Sequence, residues 1–297
     1  RRTHITSDLR TRETLNSHGL PMAGPAQARL YAVSGAGGAP STLYELDPTD
    51  GSVVATIGAT GLSHVTGIAC HPQTGVMYAV SNDPDQLLTI DTSTGLATVV
   101  GPTAMQIPDI AFDSAGTLYA WTESGDDLLT IDLLTGAASL VGECGCGTSR
   151  TGLAFDSADD LHMSRGSNLN LMDAASGTIT SSVPLSASTQ NMLAFDATDT
   201  LYGGQRGGGS FTLVTIDPAT GTVTAVGSNP IDSISALAFC ADAPLDHFMF
   251  YKRNANPAGP KFYGFGPVAL GDAFGVRTFS VVKPSGLGLP ADKNGEG

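Results

Sequence analysis

Lysine is missing from the first 251 residues of this 297-residue chain; Lys252, Lys261, Lys283 and Lys293 all lie in the tail. Only 14% of residues are charged and 6% aromatic, with a single Trp. No apolar run reaches the length of about 18 residues that a hydrophobic spanning helix requires. The six histidines (His4, His18, His64, His71, His162, His247) form no H-x-x-x-H pair and no zinc-ligand spacing. Neither a G-x-S-x-G elbow nor a P-loop is present. These absences argue against zinc hydrolases, serine hydrolases of the α/β type and P-loop nucleotide enzymes. What is abundant is glycine, 37 copies, with 17 prolines. So many breakers leave little room for long amphipathic helices and favour an all-β chain. A hydrophobic content of 41% is too high for a disordered one.

Charge divides the chain. Between Arg29 and Asp242 there are 22 acids against four bases (Arg29, Arg150, Arg165, Arg206), a net −18, while both flanks are slightly basic. Such a field repels phosphate backbones and anionic membranes, so neither nucleic acid nor membrane insertion is expected. Cations, neutral sugars and basic proteins suit it. Four cysteines, scarce lysine and a surface rich in Ser, Thr, Gly and Asp point to an extracellular or cell-surface setting. Residues 1–27 lack the apolar core of a signal peptide and read as an irregular segment; the ends look like those of a fragment.

An internal repeat dominates residues 28–242. Five segments share one pattern: GIACHPQTGVMYAV (67–80), DIAFDSAGTLYAW (109–121), GLAFDSADDLHMS (152–164), MLAFDATDTLYGG (192–204) and ALAFCAD (236–242). Their aligned residues Ile68, Ile110, Leu153, Leu193 and Leu237 are spaced 42, 43, 40 and 44 apart, the period of a four-stranded propeller blade. A second pattern accompanies each, as in LLTIDTSTGLATVVG (87–101) and LVTIDPATGTVTAVG (213–227). In it Asp47, Asp91, Asp132, Asp173 and Asp217 can accept backbone N–H groups two residues on. Gly51, Gly95, Gly136, Gly177 and Gly221 can supply a positive φ. These Asp are turn formers rather than catalytic acids.

Each unit reads as four strands, A to D. Strand A alternates large residues with Ala69, Ala111, Ala154, Ala194 and Ala238, placing bulk on one face and Ala on the other. The chain enters at a strand B (28–35) and leaves after a lone strand A (236–240). That last strand predicts closure of the first blade and a five-bladed β-propeller of four-stranded antiparallel blades. The repeat resembles β-propellers of the Asp-x-x-Thr-Gly type in secreted bacterial proteins, a resemblance that covers 28–241 and implies architecture, not activity.

Residues 243–297 leave the repeat. DHFMFYK (246–252) and KPSGLGLPADKNGEG (283–297) resemble the start of an uncharacterised domain of secreted bacterial proteins. Phe250 and Gly288 stand where that family carries Cys. The resemblance implies an incomplete C-terminal domain and brings no activity.

Candidate chemistry remains sparse. Cys144-Gly145-Cys146 reads as a local or longer-range disulfide or a pair of surface thiols, or else as a soft-metal or redox dithiol. Cys70 and Cys240 could staple neighbouring blades, although a one-residue difference in repeat register sets them on opposite pleat faces. Calcium is the ion that suits the acids, with Asp83, Asp85, Asp126 and Asp127 in B–C loops as the proposed ligands; no other cofactor is expected. Departures from the repeat mark a graftable site: Trp121, Glu123, Arg165, Gln205 and Arg206 are the expected ligand-binding residues, an aromatic with amide and charged groups around a sugar.

The expectation is therefore a monomeric, extracellular, non-enzymatic module that binds a glycan or protein ligand. One alternative is a glycosidase-like propeller with acids from Glu123 and an Asp such as Asp126. A second is a calcium-dependent lactonase or lyase, which requires acids converging on the ring axis, where strand A offers mainly Asp109.

Overall fold

In the computed structural model, the described residues are 28–122, 125–146, 151–189 and 192–241, with the backbone of 250–252 and 262–264. The first blade contains β1 (Arg29–Ser34), β2 (Pro40–Leu46) and β3 (Val53–Ser63), with a short 3-10 turn at Ala36–Gly38 between β1 and β2. The second is β4 (Val65–Cys70), β5 (Met77–Asn82), β6 (Asp85–Ile90) and β7 (Ala97–Pro102). The third is β8 (Ile110–Phe112), β9 (Leu118–Trp121), β10 (Asp127–Ile131) and β11 (Ala138–Glu143). The fourth is β12 (Thr151–Phe155), β13 (Leu161–Arg165), β14 (Asn168–Met172) and β15 (Ile179–Pro184). The fifth is β16 (Leu193–Phe195), β17 (Leu201–Gly207), β18 (Ser210–Ile216) and β19 (Val223–Asn229). The final inner strand, β20 (Ile234–Cys240), pairs antiparallel with β1, matching Leu30 to Phe239 and Ala32 to Leu237. The fold is a five-bladed propeller closed by its last inner strand, as the repeat predicts. Beyond the ring, β21 (Phe250–Lys252) and β22 (Phe262–Gly264) form a two-stranded antiparallel ladder. The proposed N-terminal segment and most of the proposed C-terminal domain lie outside the described residues. No helix among the described residues is long and apolar enough to cross a membrane.

The C–D turns form for the reason the sequence gives. In each, the Asp carbonyl receives the glycine N–H five-residue-turn style, as in Gly95 N to Asp91 O at 2.7 Å and Gly136 N to Asp132 O at 2.8 Å. The Asp side chain takes the N–H two residues on, as in Ser93 to Asp91 at 2.8 Å. The Ser93 hydroxyl and then its N–H hold the Asp91 carboxyl below its ordinary value of 3.8, and Leu134 N–H with the Thr135 hydroxyl and N–H does the same for Asp132, because they favour the ionised form.

The hydrophobic core is not one mass but five layers, one between each pair of neighbouring blades. Ala69 of the second blade packs with Ile110 and Leu118 of the third. Ala111 packs with Leu153 of the fourth, Ala154 with Leu193 of the fifth, Ala194 with Leu237 of the first, and Ala238 with Ile68 of the second. The small face of each inner strand thus meets the large face of the next, and the alternation lets five strands approach one axis. Aromatic contacts repeat this step outward: Tyr78 on Phe112, Tyr119 on Phe155, His162 on Phe195 and Tyr202 on Phe239, with ring centroids 5.6, 5.2, 5.1 and 5.2 Å apart.

At the remaining step, from first blade to second, Cys70 stands in the Phe position and is disulfide-bonded to Cys240, with Cα atoms 5.4 Å apart. Opposite pleat faces do not separate these cysteines; they bring them together. Two stacked sheets meet through opposite faces, so a one-residue offset points one cysteine forward and the other back.

The glycine ending strand D is a packing residue. A Cβ on Gly101 would lie 2.0 Å from the Thr135 carbonyl of the next blade, and one on Gly142 would lie 1.9 Å from that of Ser176. Only a missing side chain lets the edge strand of one blade touch the C–D turn of its neighbour.

Candidate functional site

The ring has two unlike faces. A–B and C–D turns make one, the turn face; D–A connections and B–C hairpins make the other, the loop face. Turn-face hydrogen bonds are largely satisfied by the repeat itself. On the loop face, Asn82 Nδ2, Trp121 Nε1, Thr151 Oγ1 and Thr189 Oγ1 are buried without a hydrogen-bond partner among the described residues. No such atom occurs on the turn face among the described residues. Buried polar atoms ordinarily have partners, so these four call for an acceptor or donor that the described residues do not supply.

The expected ligand-binding residues fall at loop-face ends of strand B. Trp121 closes β9, Arg165 closes β13, and Gln205 and Arg206 extend β17. Gln205 Nε2 donates to Ser188 O at 2.9 Å, tying the B–C hairpin of the fifth blade to the preceding D–A connection. Glu123 lies outside the described residues. Trp121 requires a correction. Its relative exposure is 0%, and it packs with Leu128, Leu153 and Met163 between the third and fourth blades. A ring with no exposed face cannot stack on a sugar; the large side chain fills inter-blade space instead.

The proposed metal ligands separate into two sets. Asp83 and Asp85 flank a cis Asp83–Pro84 bond in the second blade, where Ser81 Oγ donates to Pro84 O at 2.7 Å. They join no group of three potential ligands among the described residues. Asp126 and Asp127 do. One carboxylate oxygen each from Asp126, Asp127 and Glu143 lie within 4.8 Å of one another. A second group, Asp126 with Cys144 and Cys146, meets the same limit. Register builds this corner: Asp127, first in β10, sits opposite Glu143, last in β11. Thr122 N–H donates to Asp127 O at 3.2 Å, and Cys144 N–H donates to Asp126 O at 3.0 Å, which fixes the loop. Two like charges facing each other across strands are unfavourable, and a cation between them would relieve the repulsion. The motifs do not place Glu143 at this corner: uninterrupted register counted out from Ile131–Ala138 would set Gly142 opposite Asp127, and a bulge between Leu128 and Leu129 brings Glu143 there instead.

Cys144 and Cys146 form a disulfide with Cα atoms 5.2 Å apart. Gly145 between them takes a φ of 65° and faces open space.

On the axis, Asp109 is 1% exposed. Its Oδ1 accepts from Ile110 N–H at 3.0 Å and its Oδ2 from Leu153 N–H at 2.9 Å; Leu193 N–H is a further donor. One carboxyl thereby joins the inner strands of three blades. Burial pushes its pKa well up, and the three N–H donors oppose that rise. The equivalent positions hold Gly67, Gly152, Met192 and Ala236. The convergence of acids that a calcium-dependent lactonase requires is not built at these positions. Asp109 acts as a bracket for the ring.

No protein-family model matches the chain, and no curated protein matches it. Among solved structures, it is similar to a chain of the nidogen/laminin complex (13% identity, 72% of this chain and 98% of that one, TM-score 0.49). It is also similar to a protein of unknown function from Bacteroides thetaiotaomicron (13%, 74% and 68%, TM-score 0.48) and to the glutaminyl cyclase of Myxococcus xanthus (19%, 57% and 70%, TM-score 0.43).

Proposed function

We propose that this propeller is a non-catalytic, extracellular binding module whose ligand docks on the loop face of the third to fifth blades. One observation carries the reading. Departures from the repeat and buried polar atoms lacking partners among the described residues gather on the same face, whereas the turn face is closed by its own repeated hydrogen bonds. A rigid ring holding varied loops is a scaffold suited to recognition. Asp109 is buried on the axis and bonded to backbone N–H groups, so it is no partner for the partly exposed corner formed by Asp126, Asp127 and Glu143.

The test is a glycan array probed with the full chain, with Ca²⁺ and again with chelator. Glycan binding that falls in Arg165→Ala, Gln205→Ala or Arg206→Ala supports the loop face. Binding unchanged in all three places the ligand elsewhere, and no binding in either condition turns the search to protein ligands. Loss with chelator alone would favour the calcium-assisted version, held at Asp126, Asp127 and Glu143 by hard oxygen ligands.

A further inference from the structure

Cys144 and Cys146 pack against the layer between the third and fourth blades, but the bridge between them ties together no distant parts of the chain. A disulfide stabilises chiefly by closing a loop in the unfolded chain, and the effect grows with loop length. Cys70–Cys240 spans 170 residues and joins the first and second blades. Cys144–Cys146 spans two residues, and both cysteines belong to a single connection after β11. Both residues are half-buried rather than enclosed in the core. Partly exposed bridges of this kind belong to the labile class rather than the structural one.

We propose that the Cys144–Cys146 pair is a redox-gated site for a borderline-to-soft divalent cation such as Zn²⁺, with Asp126 as third ligand. This goes beyond the binding-module reading and does not depend on it. Reduction would free two thiolates beside one carboxylate. Their donor atoms lie within 4.8 Å of one another with the bridge closed. Tetrahedral zinc with sulfur at about 2.3 Å needs its two sulfurs about 3.8 Å apart, against about 2.0 Å in a disulfide, so the opened pair must spread by roughly 1.8 Å. Gly145 can absorb that shift, since its Cα faces open space. Cys144 N–H, bonded to Asp126 O, keeps the third ligand beside the pair. The nearby carboxylates of Asp127 and Glu143 disfavour bare thiolates and reward a cation. Sulfur donors select zinc or cadmium over calcium.

The chemistry balances. Two electrons and two protons convert the bridge into two thiols. A phosphine supplies the electrons and leaves as its oxide, taking its oxygen from water, which also supplies the protons. Cation binding then releases the two thiol protons to solvent.

The experiment uses the full chain, limiting phosphine, alkylation with peptide mass analysis, far-ultraviolet circular dichroism and titration with Cd²⁺. The expected result is that Cys144–Cys146 opens before Cys70–Cys240 while the β spectrum is kept. The reduced protein then takes one Cd²⁺ with a thiolate-to-cadmium charge-transfer band, and the oxidised protein gives no band. Cys144→Ser/Cys146→Ser abolishes the band, and Asp126→Asn weakens uptake by roughly tenfold or more, the scale on which single groups at metal sites act. The proposal is overturned if Cys70–Cys240 opens first, if the opened pair gives no band, or if the band survives in the double Ser variant. Loss of the β spectrum with only this bridge open also overturns it, since the bridge would then be structural. Unchanged affinity in Asp126→Asn removes Asp126 as a ligand.

Discussion

Asp159 of the fourth blade grips Ser114 of the third, accepting its N–H at 2.7 Å and its Oγ at 2.6 Å. The same grip recurs one blade on, where Asp199 accepts Ser157 N–H at 2.9 Å and Oγ at 2.6 Å. Both Asp residues hold left-handed backbone, with φ of 63° and 61°, a conformation Asp tolerates better than most residues. Between the second and third blades Gly116 holds the acid's position, and the link is made the other way, by Gln73 Nε2 donating to Ser114 O at 3.2 Å. The turn face is therefore laced from blade to blade.

These clamps set a pH dependence. Hydrogen bonds from Ser114 and Ser157 hold the Asp159 and Asp199 carboxyls below their ordinary 3.8. The folded state then binds protons less tightly than the unfolded one, so this stability is present above 3.8 and lost as pH falls through the lowered values. Denaturation midpoints of wild type and Asp159→Asn/Asp199→Asn, compared between neutral and acid pH, should converge on acidification. A constant gap across that range would show that the carboxylate charge is not what holds the turns.

Asp109→Ala leaves the buried N–H groups of Ile110, Leu153 and Leu193 without their acceptor. Each unsatisfied buried donor costs about 1–3 kcal/mol, so a loss of roughly 3 kcal/mol or more is expected in urea denaturation. A variant within about 0.5 kcal/mol of wild type would mean that water replaces the carboxyl on the axis.

Trp121→Ala should lower stability by about 3–5 kcal/mol, the range for emptying a large aromatic site. Ligand affinity measured on the folded fraction should change far less than with Arg165→Ala. Selective loss of binding in a Trp121 variant that keeps wild-type stability would return the ring to the recognition surface.

The two disulfides should differ in opposite ways from what their exposure alone suggests about importance. Cys70→Ser/Cys240→Ser releases the closure step and should cost about 2–5 kcal/mol. For Cys144→Ser/Cys146→Ser the closed loop is minimal, and a change of about 1–2 kcal/mol at most is expected on the same loop-length scale. Chemical denaturation of both double variants makes the comparison; equal losses would remove loop length as the explanation.

The sequence alone determined the ring. Strand alternation, the Asp-x-x-Thr-Gly turns and the out-of-phase ends are local or periodic signals, and each repeats often enough to be read without contacts. Even the swap of Phe for Cys at position 70 was visible as a break in the pattern. Only tertiary structure decided what each break does, because those outcomes depend on which faces of separate sheets meet. Trp121 stood out as an aromatic beside polar groups, yet stacking of two blades removes it from solvent entirely. Glu143 joined Asp126 and Asp127 through cross-strand register rather than sequence proximity. Asp109 became a bracket of three blades because the axis brings inner strands together from positions more than 40 residues apart.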